Sequence, residues 1–177
     1  MFELEINDAQ VRTAFASLQA ALTDMTQPMD EIGQTMVLST KTRMQAGISP
    51  DGTPFAPRSA VTLARYAAEG KKYGPHPLWL TRTMQQNIAH AASPDSVSWG
   101  SNAIQAAVMH FGAEQGEFGA AIGRTRPSEK RPRSQDYFSP IPWGRIPARP
   151  FVGLSDQDRT DITEILGEWL VRGADQP

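Results

Sequence analysis

The sequence predicts an α+β domain. A small antiparallel sheet should pack against amphipathic helices from the two ends of the chain, with a long irregular insertion before the last helix. Three observations lead there. Apolar residues recur at helical spacing near both termini. In the middle the period changes, and two short runs flank a Ser-Pro-Asp-Ser turn. Over residues 113–146 no period holds, and Gly, Pro and Arg accumulate instead.

The elements follow in chain order. "INDAQVRTAFASLQAALTDM" predicts a helix capped by Asn7 or Asp8, with Val11, Ala14, Phe15, Leu18, Leu22 and Met25 on one core-facing side. "TQPMDEIGQTMVLSTKTRMQAG" predicts a second. Pro28 sits early, where a missing N–H costs nothing, and Asp30 and Glu31 suit the positive helix start. Met29, Ile32, Met36, Val37 and Met44 form its apolar stripe, and Gly47 is its stop. In "GISPDGTPFAPRS" the Pro-Asp-Gly triplet predicts a tight turn, and Phe55 between prolines is an apolar anchor. Ser59 should cap a short helix ending at Gly70. "LWLTRTMQQNI" reads as a short helix running into a strand, and "NIAHAASPDSVSWGSN" as a hairpin. "IQAAVMHFG" is a third candidate strand. Finally, "SDQDRTDITEILGEWLVRG" predicts a helix capped by Ser155 with Asp158 three residues on. Ile162, Ile165, Leu166, Trp169 and Leu170 form its apolar stripe.

With 177 residues the chain reads as one domain, 1–177, carrying 113–146 as a Gly/Pro/Arg-rich loop or arm. It has no cysteine, which excludes disulfides, thiolate catalysis and cysteine-ligated metal centres. The acidic start "MFELEINDAQ" does not read as a secretory signal, and no stretch is apolar enough to span a membrane. A net charge of -2 gives the whole chain no strong pull on nucleic acid or membranes.

Chemistry-bearing motifs are sparse. His110 and Glu114 stand four apart with Glu117 nearby, a spacing that could begin a metal site on a helix. Gly112 and Gly116 interrupt it and no third ligand is evident, so a histidine at a strand end is the preferred reading. There is no nucleophile elbow, Walker loop or dinucleotide-binding glycine motif, so no catalytic residue, metal or cofactor is assigned and the chain is expected not to be an enzyme.

Charge is more informative. From Arg124 to Arg149 the basic residues are Arg124, Arg126, Lys130, Arg131, Arg133, Arg145 and Arg149, against Glu129 and Asp136. That is +5, leaving -7 on the rest of the chain. Such a loop can dock on an acidic neighbouring subunit, remain solvated, or contact DNA. Tyr137, Phe138 and Trp143 favour a protein contact, because aromatics beside arginine anchor interfaces.

Four short motifs stand in a telling order. They are Asp51, Gly52, Pro54 and Phe55; Leu80, Thr81 and Arg82; His110, Phe111 and Gly112; and "IPARPFVGL", Ile146 through Leu154. From about Lys41 to the end the chain resembles the virion morphogenesis and tail completion family of tailed bacteriophages, and more distantly the neck proteins of long-tailed phages. Phe55 stands where the family often has Trp, and Arg82 where it usually has Gly. The resemblance implies a non-enzymatic structural protein at the tail end or neck, in the virion and, during assembly, in the host cytoplasm. It implies a self-assembled ring with sixfold symmetry, facing tail tube and neck or connector proteins and the DNA in the channel. A tail terminator ring and a DNA-contacting assembly factor are the alternatives. Within "IPARPFVGL", Pro147 and Pro150 hold the chain extended, and Phe151, Val152 and Leu154 should enter the core. Arg149 is then fixed at the domain edge, to meet a partner's carboxylate or an Asp of the following helix.

Overall fold

The computed structural model describes residues 8–80, 82–114, 117, 120–124, 136–140 and 145–174, of which 120–124, 136–140 and 174 are described by their backbone. Among the described residues six helices and four strands follow in order: α1 (Ala9–Thr23), α2 (Thr26–Ala46), α3 (Ala60–Ala68), α4 (Thr83–Gln86), β1 (Ile88–Ala92), β2 (Val97–Ser101), α5 (Ala106–Phe111), β3 (Ala120–Arg124), β4 (Asp136–Pro140) and α6 (Asp156–Ala174). The fold class is α+β. The chain divides into two compact units, residues 1–103 with 151–177, and residues 104–150.

In the first unit α2 is the central element. It begins where the Asp24 carboxylate accepts the Thr26 N–H (3.0 Å) and hydroxyl (2.6 Å), which holds that carboxyl below its ordinary pKa. Pro28 falls among the first four residues, whose N–H groups have no helical partner in any case. The helix ends at Gly47, whose φ of 75° and N–H bond to the Arg43 carbonyl close its last turn. One face of α2 carries the β1–β2 hairpin and another carries α6, which also packs on α1. The hairpin is antiparallel, with His90 opposite Trp99, and its turn reaches back so that Met25 N–H donates to the Pro94 carbonyl. Ile32, Met36 and Met44 of α2 form the core with Phe55, Met84, Ile88 and Phe151. Three methionines in so small a core suit the irregular gap between helix and hairpin, because an unbranched thioether adapts its shape.

Asp30 and Glu31 do not sit in the first turn of α2, because the helix starts earlier than their charge suggests. Asp30 instead receives His90 Nε2 at 2.8 Å and Gln34 Nε2 at 2.7 Å, bonds that lower its pKa. The His90 ring lies so close to α2 that a Cβ on Gly33 would stand 2.2 Å from its Cδ2. Gly33 is therefore the gap through which strand and helix approach. A separate anchor holds the loop after α3. The Arg58 guanidinium donates to the carbonyls of Gly74 (2.9 Å), His76 and Trp79 (3.1 Å), and burial lowers its pKa.

Further expectations change. The apolar side of α1 does not enter the core as a whole. Ala14, Ser17, Leu18 and Ala21 are half-buried, and Ala21 meets α6 through the Trp169 indole N–H (3.2 Å) and Gly173. Val11, Phe15 and Leu22 are exposed, because one neighbouring helix covers only one edge of a wide stripe. Second, "IQAAVMHFG" is not a strand: Ala106–Phe111 is helical, and the Gly112 N–H bonds to the Val108 carbonyl. A short apolar run is ambiguous by period alone, and Ala and Met favour the helix. Inside the stretch read as irregular, β3 and β4 pair antiparallel, with Ile122 opposite Phe138 and Arg124 opposite Asp136.

Helix propensity alone says that Gly33→Ala stabilises α2 by about 1 kcal/mol. The His90 ring reverses the sign. We expect a net loss of about 1–3 kcal/mol from overpacking, measured by urea unfolding, and recovery of much of it in Gly33→Ala with His90→Ala.

Candidate assembly interface

Each of the four motifs is held by a specific local device. After α2 the chain makes a miniature hairpin. Ser49 N–H donates to the Thr53 carbonyl (2.8 Å), Phe55 N–H to the Gly47 carbonyl (2.8 Å), and Gly52 N–H to the Ser49 carbonyl (2.9 Å). Asp51 fixes the turn by accepting the Thr53 hydroxyl (2.7 Å) and N–H (3.0 Å), which lowers its pKa. Pro54 bridges Ile48, and Phe55 is buried.

Arg82, at the place where the resemblance leads one to expect glycine, keeps the turn. It adopts φ 60° and ψ 0°, the one non-glycine residue with positive φ among the described residues. Its guanidinium lies 4.6 Å from the centroid of the Trp79 ring, an attraction that offsets part of the left-handed strain.

In the second unit the "HFG" and "IPARP" motifs are zipped together. Ala113 N–H donates to the Ile146 carbonyl (2.9 Å), Ile146 N–H to the Ala113 carbonyl (2.8 Å), and Arg149 N–H to the Met109 carbonyl (2.9 Å). Gly112 makes this possible. Its φ is 78°, and a Cβ there would lie 2.7 Å from the Ile146 carbonyl oxygen and 2.8 Å from Ala148 N, both rigid backbone atoms. His110 is half-buried, and that burial lowers its pKa. Phe111, expected as a structural residue, is exposed.

The division between the two units falls inside "IPARPFVGL", after Pro150. Pro147 and Pro150 are exposed, Arg149 is buried with Nη1 3.3 Å from the Pro147 carbonyl, and Phe151 is among the most buried side chains of the first unit. Of the aspartates on the following helix, any of which was open to Arg149, Asp158 is occupied by Arg43 of α2. Arg43 Nη1 stands 2.6 Å from Asp158 Oδ2 and 2.6 Å from Ser39 Oγ, and Nη2 donates to the Gly153 carbonyl at 2.8 Å. Ser39 donates to the other Asp158 oxygen. Asp158 also completes a reciprocal cap. Ser155 N–H donates to its carboxylate (2.8 Å) and Asp158 N–H to the Ser155 hydroxyl (3.2 Å). Burial pushes the Asp158 pKa up; the Ser155 N–H, the two serine hydroxyls and Arg43 together outweigh it and hold the carboxyl below its ordinary value. Sequence reading missed Arg43. The available signal was a cation on the apolar stripe of Ile32 and Met36, where a charge persists only if paired.

Of the basic insertion, Arg145 is described: exposed, and 3.1 Å from Glu114. Arg124 and Phe138 are placed by backbone register only, and Arg126, Lys130, Arg131, Arg133 and Trp143 lie outside the described residues. The carboxylate of Glu114, weighed above as a metal ligand, faces Arg145, and among the described residues no group of three His, Asp or Glu side chains could hold a metal.

Residues 6–171 match the phage virion morphogenesis family. The chain belongs to that family. It is a family of structural and assembly proteins, which makes this chain a phage morphogenesis protein. No curated protein and no solved structure is a match to it.

Two variants separate the devices. Asp158→Asn leaves Arg43 buried without its counter-ion, and we expect a loss of about 3–5 kcal/mol at pH 7. Because the folded Asp158 pKa is depressed, its stabilisation is fully present above the unfolded carboxyl value and lost as pH falls through the lower folded value. The gap in Tm between wild type and Asp158→Asn should therefore close on acidification below about pH 4. At Arg82, a change to Gly relieves strain but forfeits the Trp79 contact and loosens the unfolded chain, so denaturant unfolding should move little. Arg82→Val should cost about 1–2 kcal/mol.

Proposed function

We propose that this phage morphogenesis protein is a non-enzymatic component of the tail end or neck, which completes the tail so that it joins a DNA-filled head. The family match over residues 6–171 carries the reading. The site geometry supports it: the devices described above fix backbone turns and a proline-braced junction, and rigid surfaces of this kind serve docking by shape.

On this reading identical copies form a ring, of sixfold symmetry if it follows the family resemblance, in contact with tail tube proteins on one side and neck or connector proteins on the other. Heterologous contacts that close give such rings. Residues 1–103 and 151–177 carry fifteen acidic and ten basic residues, net -5, a charge that suits a channel through which DNA passes without adhering.

The test is negative-stain microscopy of lysates from a phage whose copy of this reading frame is stopped early. Full heads beside free tails of normal length are expected. Free tails of abnormal length would assign tail termination instead, malformed heads would move the protein to capsid assembly, and intact infectious particles would overturn the reading.

A further inference from the structure

On α3 and the loop that follows it, cations and aromatic rings lie against one another in series. The Arg65 guanidinium is 5.9 Å from the centroid of the Tyr66 ring, the Tyr66 and Tyr73 rings are 5.3 Å apart, and Arg58 is 5.0 Å from Tyr73. Arg58 also holds the Trp79 carbonyl, and Arg82 covers the Trp79 ring. The loop is tied down: a Cβ on Gly74 would run into the Trp79 ring, and one on Gly47 into His76. Arg58 is occupied by this scaffold, but Arg65, Lys71, Lys72 and Arg82 are exposed. Glu69 is the one acidic residue from 58 to 82, and it stands beside Lys71 (2.6 Å) and Arg65 (3.9 Å). Among the described residues Lys72 and Arg82 face no carboxylate. Residues 58–82 thus carry five basic residues and one acidic, net +4, and all six are described. The other described residues of the same unit carry eleven acidic and five basic, net -6. The cations are gathered on one contiguous surface of an otherwise acidic unit. Arg82 adds a second sign. Glycine would hold its φ of 60° without strain, yet a guanidinium is kept there, and such strain concentrates at functional sites.

We propose that this surface, from Arg65 to Arg82, binds the phosphate backbone of duplex DNA. A guanidinium stacked on a ring keeps its N–H edge free for a pair of anionic oxygens, and the stacking fixes where that edge points. Regularly spaced phosphates satisfy several separated cations at once, whereas an acidic protein would have to place a carboxylate opposite each. The proposal rests on the reading above for the identity of the polyanion, since DNA is what a tail-end or neck protein meets. The acidic remainder of the unit repels the same DNA. Contact is thereby confined to this one surface, and it is brief and sensitive to salt.

The test is fluorescence anisotropy of a labelled duplex of about 30 base pairs, titrated with the full chain between about 50 and 200 mM salt. The wild type should bind at the low end, and affinity should fall steeply as salt rises. The variant combining Arg65→Gln, Lys72→Gln and Arg82→Gly should lose about tenfold or more in affinity at low salt, with a salt slope smaller by about one for each charge removed. Circular dichroism checks its fold, and glycine at 82 adopts the positive φ freely. Removing three charges from other exposed positions, by Arg12→Gln, Arg159→Gln and Arg172→Gln, should change binding little. No binding by the wild type at low salt overturns the proposal. Equal loss in both triple variants overturns it too, because net charge would then be the cause. Unchanged binding in the first variant moves DNA contact to the 113–146 insertion, and polyglutamate displacing the duplex as readily as unlabelled DNA reassigns the surface to an acidic protein; either result overturns it. Binding is read on the purified chain, so its failure leaves the tail-end reading to the lysates, which decide it separately.

Discussion

A buried arginine–aspartate pair ties the ends of the fold together. Arg43 sits near the end of α2, and Asp158, 1% exposed, is in the first turn of α6. More than a hundred residues separate them in the chain. Two isolated charges at this depth would cost several kcal/mol each. The cost is offset because the carboxylate accepts from Arg43, Ser39 and the Ser155 N–H, and Arg43 also reaches the Gly153 carbonyl. The pair thus fixes three things at once: the N-terminus of α6, the bend at Gly153, and the position of both against α2. A hydrophobic pair of similar volume could stabilise as much, but it would not specify the backbone path through the last motif.

That path matters because the final motif has a divided task. Its first half, through Pro150, is zipped to the "HFG" segment in the second unit, and its second half begins with Phe151 in the core of the first. The prolines restrict the unfolded chain, so less conformational entropy is lost at the junction. Gly153 packs against Pro50, where a Cβ would lie 2.9 Å from the proline Cγ, so the motif also abuts the small hairpin that carries Asp51 and Phe55. Three of the four motifs are thus explained by backbone placement.

An assembly protein has to remain folded as a single copy and still offer surfaces that find neighbours. Here the interior of the first unit rests on α2, the hairpin and α6, while one edge of α1 contributes little to that core and stays open. The core and the open apolar edge are in this way built from different residues, so the edge can change without loss of the fold.

The sequence by itself determined the helices with strong period and caps, the hairpin around Ser93–Ser96, the Pro-Asp-Gly turn and the burial of Phe55 and Phe151, because each depends on local propensity and spacing. It determined the family as well, through motifs whose order is a linear property. It did not determine that 106–111 is a helix, since a short apolar run serves either structure. Tertiary structure alone decided which edge of α1 is covered, which cation takes Asp158, and why Gly33 must lack a side chain. Each of these turns on what lies across from a residue. A pattern along one element records that a face is apolar or that a charge is present, but the partner is brought from a distant part of the chain by packing.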